Sequence, residues 1–184
     1  MSQLPTECLD EIFEYFEDRI TLYSCSLVNR HWYEVSVRIL WKNIQNSRTI
    51  IACLPNESKE ILHKNEIITS TLKPPLVNYV NFIKNLSIYD IYFIINSILQ
   101  NFQSITPQSL NHKKYILANE IYKLLMNQTT LKGVYFNSFK KIDIPNITFI
   151  SYPGARDCLK NLSNLDCRSD IYPEFFLSTI SNMS

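Results

Sequence analysis

Glycine is nearly absent: Gly133 and Gly154 are the only two in 184 residues. A phosphate-cradling loop or a dinucleotide fingerprint needs several glycines in close order, so both are excluded. Histidine is equally sparse. His31, His63 and His112 stand far apart, with no cysteine or carboxylate at metal-ligand spacing. The five cysteines (Cys8, Cys25, Cys53, Cys158, Cys167) occur singly, without a C-x-x-C pair. They read as reduced thiols, mostly small buried apolar residues. No Gly-x-Ser-x-Gly elbow and no local Cys/His signature appears, so neither intrinsic catalysis nor a cofactor or metal is expected. A net charge of +1 argues against an extended nucleic-acid surface, and the short runs His112-Lys113-Lys114 and Lys140-Lys141 read as solvated surface. The longest apolar run, Ile91-Tyr92-Phe93-Ile94-Ile95, is far too short to span a bilayer. With no signal peptide ahead of the first acidic helix, the expectation is a cytoplasmic or nuclear protein without a membrane partner.

What is present is a globular composition, 46% hydrophobic and 19% charged, enough for one or two domains. The most informative stretch is Leu4 to Ile44, which reads as three short helices. Leu4-Pro5-Thr6 opens the first with proline in its initial turn, where the missing N–H is not needed. Thr6 or Asp10 is the expected cap. Cys8, Leu9, Ile12, Phe13 and Phe16 follow at helical spacing. Leu22, Tyr23, Cys25, Leu27 and Val28 form a second, nearly all-round apolar run. A third segment from about Asn29 carries Trp32, Val35, Ile39 and Leu40 and closes on Trp41. So many apolar positions exceed what forty residues bury alone. Two readings follow: a lobe packed on the rest of the chain, or a docking module.

The ordered set Leu4-Pro5-x-Glu7-x-Leu9-x-x-Ile12-Phe13, then Leu22-x-x-Cys25-x-Leu27-Val28-Asn29-Arg30-x-Trp32, then Leu40-Trp41 resembles the F-box from its opening Leu-Pro to its closing Leu-Trp. Phe16 departs from the pattern, standing where leucine is commoner. The resemblance implies a three-helix unit that docks on a Skp-type adaptor, which joins it to cullin and RING subunits in an SCF-type ubiquitin ligase. It places Leu4, Pro5, Glu7, Leu9, Ile12 and Phe13 where the family meets the adaptor. Leu22, Leu27, Val28, Trp32 and Trp41 fall where core packing and contact combine. The remainder of the chain would capture an unidentified protein substrate. The alternative is an F-box scaffold acting outside ubiquitination. In either case the acidic rim (Glu7, Asp10, Glu11, Glu14, Glu17, Asp18) would tune association more than affinity.

Residues 45–80 read as a helical connector, with a turn and cap signal at Leu54-Pro55-Asn56-Glu57-Ser58, apolar helix positions from Glu60 to Ile68, and a boundary at Lys73-Pro74-Pro75. In 81–184, strand-like pieces alternate with helices expected from about Asp90 to Phe102, Lys113 to Asn127, Pro153-Gly154 to Lys160, and Tyr172 to Ile180, with a loop at Thr106-Pro107. Four pieces share the register apolar-x-x-apolar-x-apolar, starting at Ile83, Leu131, Ile144 and Leu162. That is the strand signature of a leucine-rich repeat, although the steps of 48, 13 and 18 residues are not a constant period. An ordinary α/β domain with unrelated strands is the competing reading. The layout is similar to divergent fungal F-box proteins that carry such repeats. The expected fold is therefore α+β and mostly α: a three-helix F-box in 1–44, the connector in 45–80, and an irregular α/β leucine-rich-repeat-like solenoid in 81–184, shorter than is usual in the family.

Overall fold

The structure, a computed structural model, describes residues 4–44, 46–68, 73–100, 106–136 and 151–167. Among the described residues it is mostly helical, with a three-stranded parallel sheet. The opening lobe consists of α1 (Thr6–Glu14), α2 (Arg19–Ser26) and α3 (Arg30–Leu40). Two of the three helix starts are fixed by side-chain caps. The Asp18 carboxylate accepts the Thr21 N–H at 2.7 Å, and the Asn29 amide oxygen accepts the Trp32 N–H at 2.9 Å. α1 differs from expectation, because neither Thr6 nor Asp10 caps it. Pro5 takes the cap position with no side-chain hydrogen bond. Thr6 lies inside the helix, and Asp10 instead receives the Arg38 guanidinium at 3.1 and 3.2 Å. Leu9, Phe13, Leu22, Cys25 and Val35 are the buried centre of this lobe, with Phe16, Trp32, Ile39 and Leu40 packed against them. The Phe13 ring lies 5.5 Å from Phe16 and meets Trp32 edge-on at 5.1 Å.

A second, larger core follows. It is built from α4 (Ser47–Cys53), α5 (Asn56–Lys64), a 3-10 turn (Tyr79–Phe82), β1 (Asn85–Ser87), α6 (Ile88–Leu99), α7 (Pro107–Gln128), β2 (Gly133–Phe136), α8 (Ala155–Leu159) and β3 (Asn164–Cys167). Ile50, Ile51, Leu54, Leu62, Ile67 and Val80, all within residues 45–80, are buried in one cluster with Leu86, Val134 and the Leu117, Ile121, Leu124 stripe of α7. Ser58 and Lys123 both donate to the Glu120 carboxylate, which is only 2% exposed, at 2.7 and 2.9 Å. α5 is thereby tied to α7 beneath the surface.

Three helix boundaries differ from those expected, each for a local reason. α7 begins at Pro107, not near Lys113, because Thr106 caps the Ser109 N–H at 3.4 Å and proline is suited to a first turn. What reads as a loop is a helix start. α6 begins at Ile88, directly out of β1, since the Ser87 hydroxyl that ends the strand accepts the Asp90 N–H at 3.3 Å. α5 runs from Asn56 to Lys64, earlier than the Glu60–Ile68 reading, with Pro55 at its cap position. Of the cysteines, Cys25 and Cys158 are buried and Cys53 half-buried, but Cys8 is exposed on α1.

The strands run parallel in the order β1-β2-β3, with Leu86 beside Val134 and Val134 beside Leu165. Each of these residues sits three places after the pattern starts at Ile83, Leu131 and Leu162, so those three pieces occupy adjacent strands in a common register. The piece starting at Ile144 and the helix from Tyr172 lie outside the described residues. A ladder of carbonyls links the rungs. The Lys42 carbonyl accepts the Lys84 and Asn85 N–H groups at 2.9 and 3.0 Å; that of Lys84 accepts from Lys132 and Gly133 at 2.7 and 3.0 Å; that of Lys132 accepts from Ser163 and Asn164, both at 2.9 Å. Asn43 also bridges Asn85 in the parallel sense. The end of the opening lobe is thus bonded to β1 much as β1 is bonded to β2. The Trp41 ring stacks on Tyr79 at 4.5 Å across the same seam.

Candidate docking surface

α2 is the unusual element. Its eight residues bury Leu22 and Cys25 on one side. Ile20, Tyr23 and Leu27, at i, i+3 and i+7, point the other way and are 79%, 61% and 70% exposed. Val28, just past the helix end, is exposed as well. A soluble helix normally turns one apolar face inward and a polar one outward. Here both faces are apolar.

α1 adds a second stripe. Leu9 and Phe13 are buried, while Leu4, Cys8, Ile12 and Tyr15 follow one another along an adjacent exposed face. α3 and the residue just past its end tie α1 through polar groups spaced along its length. His31 Nε2 lies 3.1 Å from the Leu4 carbonyl, Arg38 grips Asp10, and Lys42 pairs with Glu14 at 3.2 Å. The last two pairs are largely solvated, so they orient α1 more than they stabilise it. Two members of the acidic rim are therefore engaged, Asp10 with Arg38 of α3 and Glu14 with Lys42 just past its end. Glu7, Glu11, Glu17 and Asp18 are exposed. Hydrogen bonds from Thr21, side chain first and then backbone, hold the Asp18 carboxyl below its ordinary pKa.

The residues singled out in the sequence thus divide in two. Leu4, Pro5, Glu7, Ile12, Leu27 and Val28 are exposed. Leu9, Phe13 and Leu22 are buried under them, and Trp32 and Trp41 are partly covered. Tyr15 and Ile20 are exposed as well, as are Cys8 and Tyr23, which the apolar runs contain but the family resemblance does not place at the adaptor. For Ile20 and Tyr23 the available signal was the Ile20-Tyr23-Leu27 spacing, masked by Leu22 and Cys25 between them. One end of the α2 stripe opens onto a cleft of about 670 Å³ whose walls include Ile20, Tyr23, Leu40, Trp41, Thr49 and Tyr79. Burial, aided by a hydrogen bond with Tyr33, pushes the Tyr79 hydroxyl up to about 12, so it stays protonated.

Burial raises the pKa of the Cys25, Cys53 and Cys158 thiols, favouring the neutral form in each. No group of three or more His, Cys, Asp or Glu side chains is placed to hold a metal ion among the described residues. None of the described helices is long and apolar enough to cross a membrane.

The three-helix lobe thus carries exposed apolar stripes on two of its helices. Residues 1–47 match the F-box-like family model, which ends close to the seam at Trp41–Ile44. Modules of that family generally bind Skp-type adaptors. No curated protein and no solved structure matches the chain.

Proposed function

We propose that the chain is the substrate-recognition subunit of an SCF-type ubiquitin ligase, docking on a Skp-type adaptor through its first 44 residues. The observation that carries this reading is the exposed Ile20-Tyr23-Leu27 stripe on a helix whose opposite side is already buried. A large apolar side chain gains about 1.5–3 kcal/mol on full burial, so a few such anchors suffice for a specific interface. In this reading Leu4, Pro5, Glu7, Ile12, Leu27 and Val28 touch the adaptor, joined by Tyr15, Ile20 and Tyr23. Leu9, Phe13, Leu22, Trp32 and Trp41 act from below, fixing the helices that present them. The adaptor brings cullin and RING subunits, and the region after the seam holds a target protein. The parallel strands in common register support a leucine-rich-repeat-like character for that region. The role is proximity: target and charged ubiquitin carrier are held on one assembly, which raises their effective concentration.

The test is co-purification of the full chain with a Skp-type adaptor, beside the Leu4→Ala/Pro5→Ala double variant and Leu27→Asp. A stoichiometric complex with the parent chain, lost in both variants while their circular dichroism is unchanged, is the expected result. Retained binding in both variants, or no complex with the parent chain, overturns the docking assignment. Adaptor binding without cullin-dependent ubiquitin transfer would instead identify a scaffold acting outside ubiquitination.

A further inference from the structure

We propose that His31 is a positioning residue that sets the Leu4-Pro5 edge of the docking surface; this rests on the adaptor-docking reading. Three observations converge on it. First, α1 starts without a side-chain cap, because Pro5 stands at the cap position and has neither an N–H nor a side-chain acceptor to contribute. An uncapped first turn frays. Second, the exposed Leu4 is the residue at the head of the α1 stripe, and its side chain can dock only if its backbone is held still. Third, the Leu4 carbonyl is met by His31 Nε2 at 3.1 Å, across 27 positions of sequence, from the first turn of α3. A carbonyl oxygen only accepts, so the geometry assigns the donating proton to Nε2. Arg38 on α3 and Lys42 just past its end hold α1 in its middle, at Asp10, and at its end, at Glu14. His31 is the tie at its start.

α3 is itself anchored independently of this contact. Asn29 caps it, Val35 is fully buried in the lobe core, and Trp32 packs against Phe13. The imidazole is therefore presented from a fixed frame to a loose one. Loss of the hydrogen bond should free Leu4 and Pro5 while leaving the three helices packed. The ordering of that edge would then have to be supplied at the moment of docking, which appears as weaker binding without a change in contact residues.

The experiment measures adaptor affinity of the full chain for His31→Ala, His31→Gln, Leu4→Ala and the His31→Ala/Leu4→Ala pair, together with amide hydrogen exchange. A net hydrogen bond corresponds to roughly a 3- to 10-fold change in an equilibrium constant, and that is the weakening expected for His31→Ala. His31→Gln, whose amide N–H₂ can reach a similar position, should recover most of it. In the Leu4→Ala background the His31 substitution should have almost no further effect, because it acts through Leu4. Additive losses in the pair, or full affinity in His31→Ala, overturn the proposal while leaving the adaptor reading intact. If the parent chain does not bind the adaptor, that reading fails on its own. The positioning claim is then decided by exchange: the Leu9 N–H, which closes the first turn on the Pro5 carbonyl at 3.2 Å, must exchange faster in His31→Ala than in the parent chain. An unchanged rate there refutes it.

Discussion

Phe13→Ala is the sharpest probe of how the opening lobe holds itself together. Phe13 is 1% exposed and is one of the five side chains of the lobe's buried apolar cluster, touching both the Phe16 and Trp32 rings. Removing a buried phenylalanine ring costs about 3–5 kcal/mol in transfer and cavity terms together. The ring pairs with Phe16 and Trp32 fall within that range, and little in so small a core can collapse into the void. Both tryptophans of the chain are local reporters, Trp32 inside the lobe and Trp41 at its seam. Urea titration followed by tryptophan fluorescence therefore reads this region directly. With a slope of about 1–3 kcal/mol/M, the midpoint should fall by at least roughly 1 M. Ile12→Ala is the control: Ile12 is 44% exposed on the same helix and should lose no more than about 1 kcal/mol. If the Phe13→Ala midpoint moved no further than that of Ile12→Ala, the division of α1 into a buried face and a docking face would be wrong.

Other consequences are as direct. The hydrogen-bonded Asp18 carboxyl titrates below its ordinary value. The stability it contributes is thus complete above the unfolded carboxylate pKa and is lost as pH falls through the depressed folded value. Asp18→Asn keeps a capping oxygen but does not titrate, so acid titration below about pH 4 should show a shallower loss than in the parent chain. Glu120→Ala leaves the Ser58 hydroxyl without its buried acceptor, and thermal unfolding should register a loss of about 1–3 kcal/mol. Gly154 has φ +82° and an added Cβ would stand 2.8 Å from the Met126 carbonyl oxygen. Gly154→Ala is therefore expected to destabilise by about 1–3 kcal/mol, measured by denaturant titration.

The opening helices were legible because each carries its own punctuation: Asp18 and Asn29 as caps, Leu9, Phe13 and Phe16 as a face with helical period. The strands were legible for a similar reason, their apolar register being local. The docking stripe was only half legible. Leu27 and Val28 could be named, but α2 carries Leu22 and Cys25 on one face and Ile20 and Tyr23 on the other, and hydrophobic periodicity carries no phase when both faces are apolar. Which of Ile20, Leu22, Tyr23 and Cys25 face inward is settled by packing against α1 and α3. The role of His31 was invisible for another reason. A hydrogen bond across 27 residues leaves no mark in local spacing, and the residue reads as an ordinary surface histidine. At Pro107 the signal was present but ambiguous, since Thr-Pro marks a turn as readily as a helix start.

The carbonyl ladder that runs from Lys42 through Lys84 to Lys132 has a consequence for what can vary in such a chain. Neighbouring rungs lie about 4.8 Å apart whatever the chain does between them. The excursions that return to successive rungs differ greatly: 42 residues from Lys42 to Lys84, 48 from Lys84 to Lys132, and 31 from Lys132 to Ser163. Distance from the lobe to any strand is therefore counted in rungs and not in residues. The segments between successive rungs can lengthen or shrink while every strand keeps its address. The helical lobe, spliced in at Lys42, serves as the origin of that scale.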